Sequence, residues 1–343
     1  MLRVIGWISV RWRHRPGIEV VHAAAQARFE APRAADAAAH VAQFRRRVSP
    51  ARLVTQWTRE RRRRLDRDHA RRFCGIPVAM RPLVFLHIPK AAGTSLRSVI
   101  RRNYPPHMVL AVESYEDSSG AAEYLQRGGA VTGHLSLHTY RALNIDADAI
   151  TVLRDPIERL ISLYFYARRR GPQHRFAAHV GSFEAFAACG FEDVHNGMTR
   201  QLSGTATAPD ADALARAKHN LAHELVAFGT HDHFDESLLL FQQRFGWRTI
   251  YCARENAAKR RPAMGELDRN ALRLVERNNE LDAELWEFAQ KELSARLAVQ
   301  PGSFHDQLRA YRRRNRVYSA VVTSARRLPR PLKGVLRWAS RYR

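Results

Sequence analysis

Three short segments of the chain combine residue types whose spacing suits anion chemistry. The first is Pro89-Lys90-Ala91-Ala92-Gly93-Thr94-Ser95. It offers a mobile positive charge at Lys90, a small-residue turn at Ala91, Ala92 and Gly93, and hydroxyl donors at Thr94 and Ser95. Leu96 to Arg102 follows with helical spacing, so the turn opens a helix whose N-terminal amides and dipole also favour an anion. The second segment is Arg154-Asp155-Pro156-Ile157-Glu158-Arg159, with Ser162 two turns on. Its arginine fork and hydroxyl suit another phosphate, and the same arginine is also spaced to pair with Glu158 or Asp155. The third is Gly133-His134-Leu135-Ser136, which places one histidine between the two. Histidine is the natural base for an alcohol near neutral pH.

The elements that must carry these segments are legible from apolar runs and breaks. Val84 to Ile88 is a short apolar run, interrupted at Pro89. Met108 to Val112, Ala130 to Leu137 and Ala149 to Arg154 are three further strand candidates, separated by helical patterns such as Ala121 to Gln126. Strands alternating with helices predict an α/β fold of the P-loop type: a doubly wound parallel sheet flanked by helices. Ligands of such sheets gather at the C-terminal strand ends, which is where Lys90, His134 and Arg154 fall. Asp155 is a natural N-cap and Pro156 fits the first helical position behind it. The nucleotide-hydrolase loop, G-x-x-x-x-G-K-[ST], sets its lysine after the glycines beside a Mg²⁺-holding hydroxyl. In this chain the lysine comes first.

Pro-Lys-(small)₂-Gly-Thr-Ser resembles the 5′-phosphosulfate loop of sulfotransferases that use 3′-phosphoadenosine-5′-phosphosulfate (PAPS). Arg-Asp-Pro-Ile-Glu-Arg-Leu-x-Ser resembles the 3′-phosphate motif of the carbohydrate sulfotransferases, notably the heparan and dermatan uronyl 2-O-sulfotransferase branch. Gly133 to Ser136 is similar to the segment in which that branch carries its base. Lys218 to Leu221, Phe228 to Thr230 and Asn278 to Ala289 resemble later elements of the family. Two departures stand out: Ala91 replaces a common threonine, and Thr132 stands where the uronyl enzymes have a second histidine. The resemblance covers about residues 81–295. It implies sulfuryl transfer from PAPS to a hydroxyl, with a glycan as the acceptor class and no metal. Lys90, Ala91, Ala92, Gly93, Thr94, Ser95, Arg154 and Ser162 would hold the donor. His134 would be the base, Lys90 would stabilise the leaving phosphate, and Ser162 would engage Lys90 before the acceptor arrives. The acceptor site is not legible; Arg168 to Arg170 and Arg175 suit either an anionic sugar or a solvated loop. The alternatives are a Mg²⁺-dependent kinase of related fold and a non-catalytic module that binds nucleotide or anionic polymer.

Charge divides the chain. The net charge is +24 over 343 residues, yet residues 1–80 hold 18 Arg/Lys against 6 Asp/Glu and residues 305–343 hold 12 against 1. The stretch between them is nearly neutral. This predicts an Arg-rich helical extension over 1–80, a catalytic domain over 81–304 and a basic tail over 305–343. Residues 19–72 read as helices broken at Pro32 and Pro50. The flanks suit solvated helices, or contact with an anionic membrane surface, where Leu332 to Ala339 forms a basic amphipathic segment. No nucleic-acid-binding module accompanies the charge. The apolar run at Val4 to Val10 is short of the ~20 residues a membrane span needs, and it lacks a cleavage site for export. Three separated cysteines (Cys74, Cys189 and Cys252) form neither a disulfide framework nor a metal knuckle. These features predict a cytoplasmic protein, with peripheral membrane contact through its flanks.

Overall fold

A computed structural model describes residues 81–113, 120–205, 207–253 and 267–327, which belong to one compact unit within Arg71–Arg343. The helical readings of residues 19–72 and the segment Leu332 to Ala339 lie outside the described residues. The sheet is formed by β1 (Leu83–Leu86), β2 (Val109–Val112), β3 (Ala130–Gly133), β4 (Asp148–Leu153) and β5 (Ala227–Thr230). All pairings are parallel, in the order β2-β3-β1-β4-β5. The expected α/β class is therefore the observed one. β1 lies at the centre, with Leu86 opposite Gly133 of β3 on one edge and Thr151 of β4 on the other.

The strands read as continuous apolar runs because both sheet faces are covered. Alternate residues of β1 point to opposite layers: Val84 and Leu86 pack in one apolar cluster, Leu83 and Phe85 in another. α1 (Gly93–Asn103) covers the Leu83 side with Leu96, Val99 and Ile100. α2 (Ala121–Gln126) and α3 (Leu137–Ala142) cover the Val84 side through Leu125, Leu137 and Tyr140. After β4 comes α4 (Pro156–Arg170), started by Asp155 Oδ1 accepting from the Glu158 amide at 2.7 Å with Pro156 in the first turn. α5 (Phe183–Ala187) packs Phe183 and Phe186 against α4 in a third cluster. α6 (Gly197–Ser203), α7 (Ala211–His219) and a π-helical turn over Asn220–Glu224 lead into β5. α8 (Phe234–Phe245), α9 (Arg269–Arg277), α10 (Glu280–Ala298) and α11 (Gly302–Arg327) complete the described chain.

Charge composition draws a division at residue 304, and that division falls inside α11. Phe304, Leu308 and Tyr311 of this helix are buried in the core cluster on the Leu83 side. Its first turns are therefore part of the domain, while Val317 and Val321 stay exposed further along. Among the described residues no helix is long and apolar enough to cross a membrane.

One buried ion pair joins the helices beside the sheet. Arg159 of α4 and Asp282 of α10 lie 3.6 Å apart, with side chains only 1% and 0% exposed. Arg159 also donates to the Asp193 carbonyl at 2.9 Å. The Asp282 carboxylate accepts the Met198 and Thr199 amides at 3.0 and 2.7 Å, so it caps α6 from another helix. Asn196 and Asn279 close the arrangement: the Asn279 side chain accepts from the Asn196 amide, and the Asn196 side chain accepts from the Asp282 amide. Removing one partner strands a buried charge, at a cost of about 3–5 kcal/mol. Asp282→Ala is therefore expected to lower unfolding free energy by about that amount in urea titrations. The double variant Arg159→Met/Asp282→Leu should recover much of the loss.

Candidate active site

The three sequence segments meet at one end of the sheet, because β3, β1 and β4 are neighbours and each is followed directly by its polar segment. β1 gives way to Ile88, Pro89 and Lys90, and the chain turns sharply into α1. Lys90 and Ala92 both occupy the left-handed region, at φ 68° and 59°. Each such residue costs roughly 1–2 kcal/mol, strain that the surrounding packing must sustain. α1 then opens from Ala92 with no side-chain cap on its first turn. Ser95 is buried in that turn.

Glycine at 93 has a steric reason that the sequence did not disclose. A Cβ there would lie 1.7 Å from Nε2 of His87. The His87 ring fills that space, stacked on Phe85 at 5.4 Å and on His134 at 4.6 Å between centroids. Its pKa is held well below the usual histidine range, first by burial and then by the fields of His134, Arg97 and Lys90. His87 stays neutral.

His134 follows β3 and is partly exposed. Its Nδ1 lies 3.1 Å from the His87 carbonyl oxygen. A carbonyl only accepts, so Nδ1 carries the proton and Nε2 is the basic nitrogen. Burial lowers the His134 pKa below its ordinary value, opposed by the His87 carbonyl and reinforced by Arg97. Arg97 comes from the first turns of α1, where its guanidinium meets Glu113 at 3.0 Å.

Arg154 leaves the end of β4 almost wholly buried. Its Nη1 donates to the Lys90 carbonyl at 3.1 Å, and its Nη2 to Glu158 at 3.1 Å. The ion-pair reading of this arginine is thus realised with Glu158, and a second bond, to the Lys90 carbonyl, ties the second segment to the first. Ser162 sits on the same face of α4 as Tyr166, one turn before it. The Lys90 ammonium lies over the Tyr166 ring, 4.0 Å from its centroid, and the Arg170 guanidinium approaches the same ring at 5.9 Å. An ammonium over an aromatic face is stabilised by about 0.5–2 kcal/mol. Tyr166 continues edge-on to His174, which stacks on Phe176. Arg175 is paired with Asp193 and stacked over Phe176, so it is anchored in the protein. Arg168, Arg169 and Arg170 are exposed.

A separate cleft of about 690 Å³ opens beside the start of α4, walled by Asp155, Pro156, Ile157, Arg273, Arg277 and Trp286. Lys90, His134 and Arg154 do not line it. His87, Arg97 and Tyr166 are the site residues that motif spacing missed. Arg97 alone had a signal, as a cation one turn behind the loop. The other two are defined by ring contacts across the fold.

Gly93→Ala must displace the His87 ring, which is boxed in by Phe85 and His134. The expected outcome is at least a tenfold loss of affinity for 3′,5′-ADP in calorimetric titration. The urea midpoint should fall as well, since overpacking of this kind costs about 1–3 kcal/mol.

Residues 80–199 match the model of the sulfotransferase family. No curated protein sequence matches the chain. Among solved structures, the chain is similar to mouse sulfotransferase SULT7A1 complexed with PAP, at 15% identity and a TM-score of 0.34. That comparison covers 60% of this chain and 65% of the mouse protein, so less than two thirds of its length is spanned. The family match begins just before β1 and ends inside α6, and it encloses Lys90, His134, Arg154 and Ser162.

Proposed function

We propose that the protein is a PAPS-dependent sulfotransferase that moves a sulfuryl group to a hydroxyl, with a carbohydrate as the acceptor class. The observation that carries this reading is the junction of Arg154 with the Lys90 loop. Two cationic strand-to-helix turns, on adjacent strands and bonded to each other at 3.1 Å, suit a nucleotide bearing phosphates at both 5′ and 3′ positions. The match of residues 80–199 to the sulfotransferase family supports the same donor.

The residues present fit such a donor. The uncapped start of α1 and the loop over Lys90, Ala91, Ala92, Gly93, Thr94 and Ser95 form a cradle for the 5′-phosphosulfate. Arg154 and Ser162 face the 3′-phosphate in this reading. The donor supplies an activated sulfuryl group, whose bond to the bridging oxygen breaks as the acceptor oxygen bonds to sulfur. His134 Nε2 takes the acceptor's proton, and Lys90 balances the negative charge left on 3′,5′-ADP. Lys90 must leave the face of Tyr166 to do so. His87, held neutral by burial, packs behind the base and adds no charge there.

The basic character of α11 beyond Tyr311 and of the flanks supports peripheral contact with an anionic surface. Cys189 and Cys252, buried and in no disulfide among the described residues, suit a reducing, cytoplasmic setting.

The test is transfer of labelled sulfuryl from PAPS to a panel of glycans without added metal. Lys90→Ala and His134→Ala should each abolish turnover, while Arg154→Ala should mainly weaken nucleotide binding. Wild-type rates retained in either of the first two variants contradict the roles assigned to Lys90 and His134. Because burial holds the His134 pKa below the ordinary histidine value, its basic form already predominates at neutral pH. kcat/KM should be flat through neutrality and fall only on the acid side, where the lowered pKa is reached.

A further inference from the structure

α6 carries one side chain into the space between the ends of β1 and β3. Gln201 is 2% exposed, and its Nε2 donates to the Leu135 carbonyl at 2.8 Å and to the His87 carbonyl at 3.3 Å. The His87 oxygen is the same atom that accepts from Nδ1 of His134. Two carbonyl partners fix which way the amide points. Its Oε1 is buried without a partner among the described residues. An orphaned buried acceptor costs stability, so the stability of the fold alone does not explain a glutamine at this position.

The helix that presents Gln201 is pinned at both ends. Asp282 caps its first turn through the Met198 and Thr199 amides. The Asn220 side chain donates to the Leu202 and Ser203 carbonyls at its far end, at 2.8 and 3.2 Å. α6 is short, and held in this way it acts as a strut that sets Gln201 at a fixed depth.

We propose that Gln201 is a positioning residue for His134. By holding the His87 carbonyl in place, it keeps His134 in the Nδ1–H tautomer and leaves Nε2 as the basic nitrogen. The inference rests on His134 being the base. Partners one bond behind metal-bound imidazoles alter function by about 10–100-fold; Gln201 stands two bonds behind His134, through the His87 carbonyl, so the low end of that range is expected.

The test uses full-length protein labelled with ¹⁵N-histidine. Two-bond ¹H–¹⁵N correlations report the tautomer of each ring, and the His134 signals are those lost in His134→Gln. The wild type should show His134 as the Nδ1–H tautomer. Gln201→Met should show both tautomers, with kcat for sulfuryl transfer down about tenfold and 3′,5′-ADP affinity within about twofold of wild type. Gln201→Asn, with a shorter amide, should lie between them and serves if Gln201→Met does not fold. An unchanged His134 tautomer in both variants overturns the proposal. So does a parallel fall of kcat and 3′,5′-ADP affinity, the mark of general loosening. If the wild type transfers no sulfuryl group, the tautomer result still decides the positioning claim, and only the functional reading falls.

Discussion

The position of β1 constrains everything else in this structure. It is hydrogen-bonded on both edges, to β3 and to β4, so the turns that leave these three strands are forced to one place. His87 N donates to Gly133 O at 2.8 Å as the chain exits β1, and His134 N donates to Val112 O as it exits β3. These bonds extend the ladders one residue past the strands. The backbone itself thereby gathers a lysine, a histidine and an arginine from successive strand exits. In doubly wound sheets this is the general place for a ligand, because the strand order reverses there and leaves a crevice.

Electrostatics divides the labour between charged and neutral groups. Lys90, Arg97 and Arg154 bring positive charge to the strand ends, while burial and neighbouring cations keep His87 and His134 uncharged. An anionic donor and a free base can coexist on such terms. The Lys90 ammonium rests on an aromatic face, an interaction that a nearby phosphate readily outcompetes. Behind this surface the Arg159–Asp282 pair is dry and multiply hydrogen-bonded. It fixes the relation of α4, α6 and α10, the helices that back the Arg154 turn and His134.

Local rules made much of this readable in the sequence. Strand runs, the Asp155-Pro156 helix start and the lysine-first loop each depend on neighbouring residues and lie where spacing put them, except that the Ala130 to Leu137 run ends as a strand at Gly133: Ser136 caps a helix that Leu137 opens. Helix α2 spans Ala121–Gln126, the stretch that helical patterning indicated. What stayed hidden depends on partners far along the chain. Gly93 reads as a residue for close backbone approach, but its missing Cβ makes room for the His87 ring. Gln201 reaches the His87 carbonyl across 114 positions, and Asp282 caps a helix 83 positions earlier. Tyr166 lies one turn beyond Ser162, so only the fold shows that the tyrosine ring meets Lys90. The 304 boundary rested on charge. Charge does not register that Phe304, Leu308 and Tyr311 form a core-facing stripe in an otherwise basic helix.

The central claim is that these strand ends bind a 3′,5′-bisphosphorylated nucleotide. Isothermal titration of the purified chain with 3′,5′-ADP, without Mg²⁺ and beside ATP, tests it most directly. Tight 1:1 binding of 3′,5′-ADP is predicted, with much weaker binding of ATP and indifference to Mg²⁺. A preference for ATP, especially one that requires Mg²⁺, or no binding of either nucleotide, would contradict it.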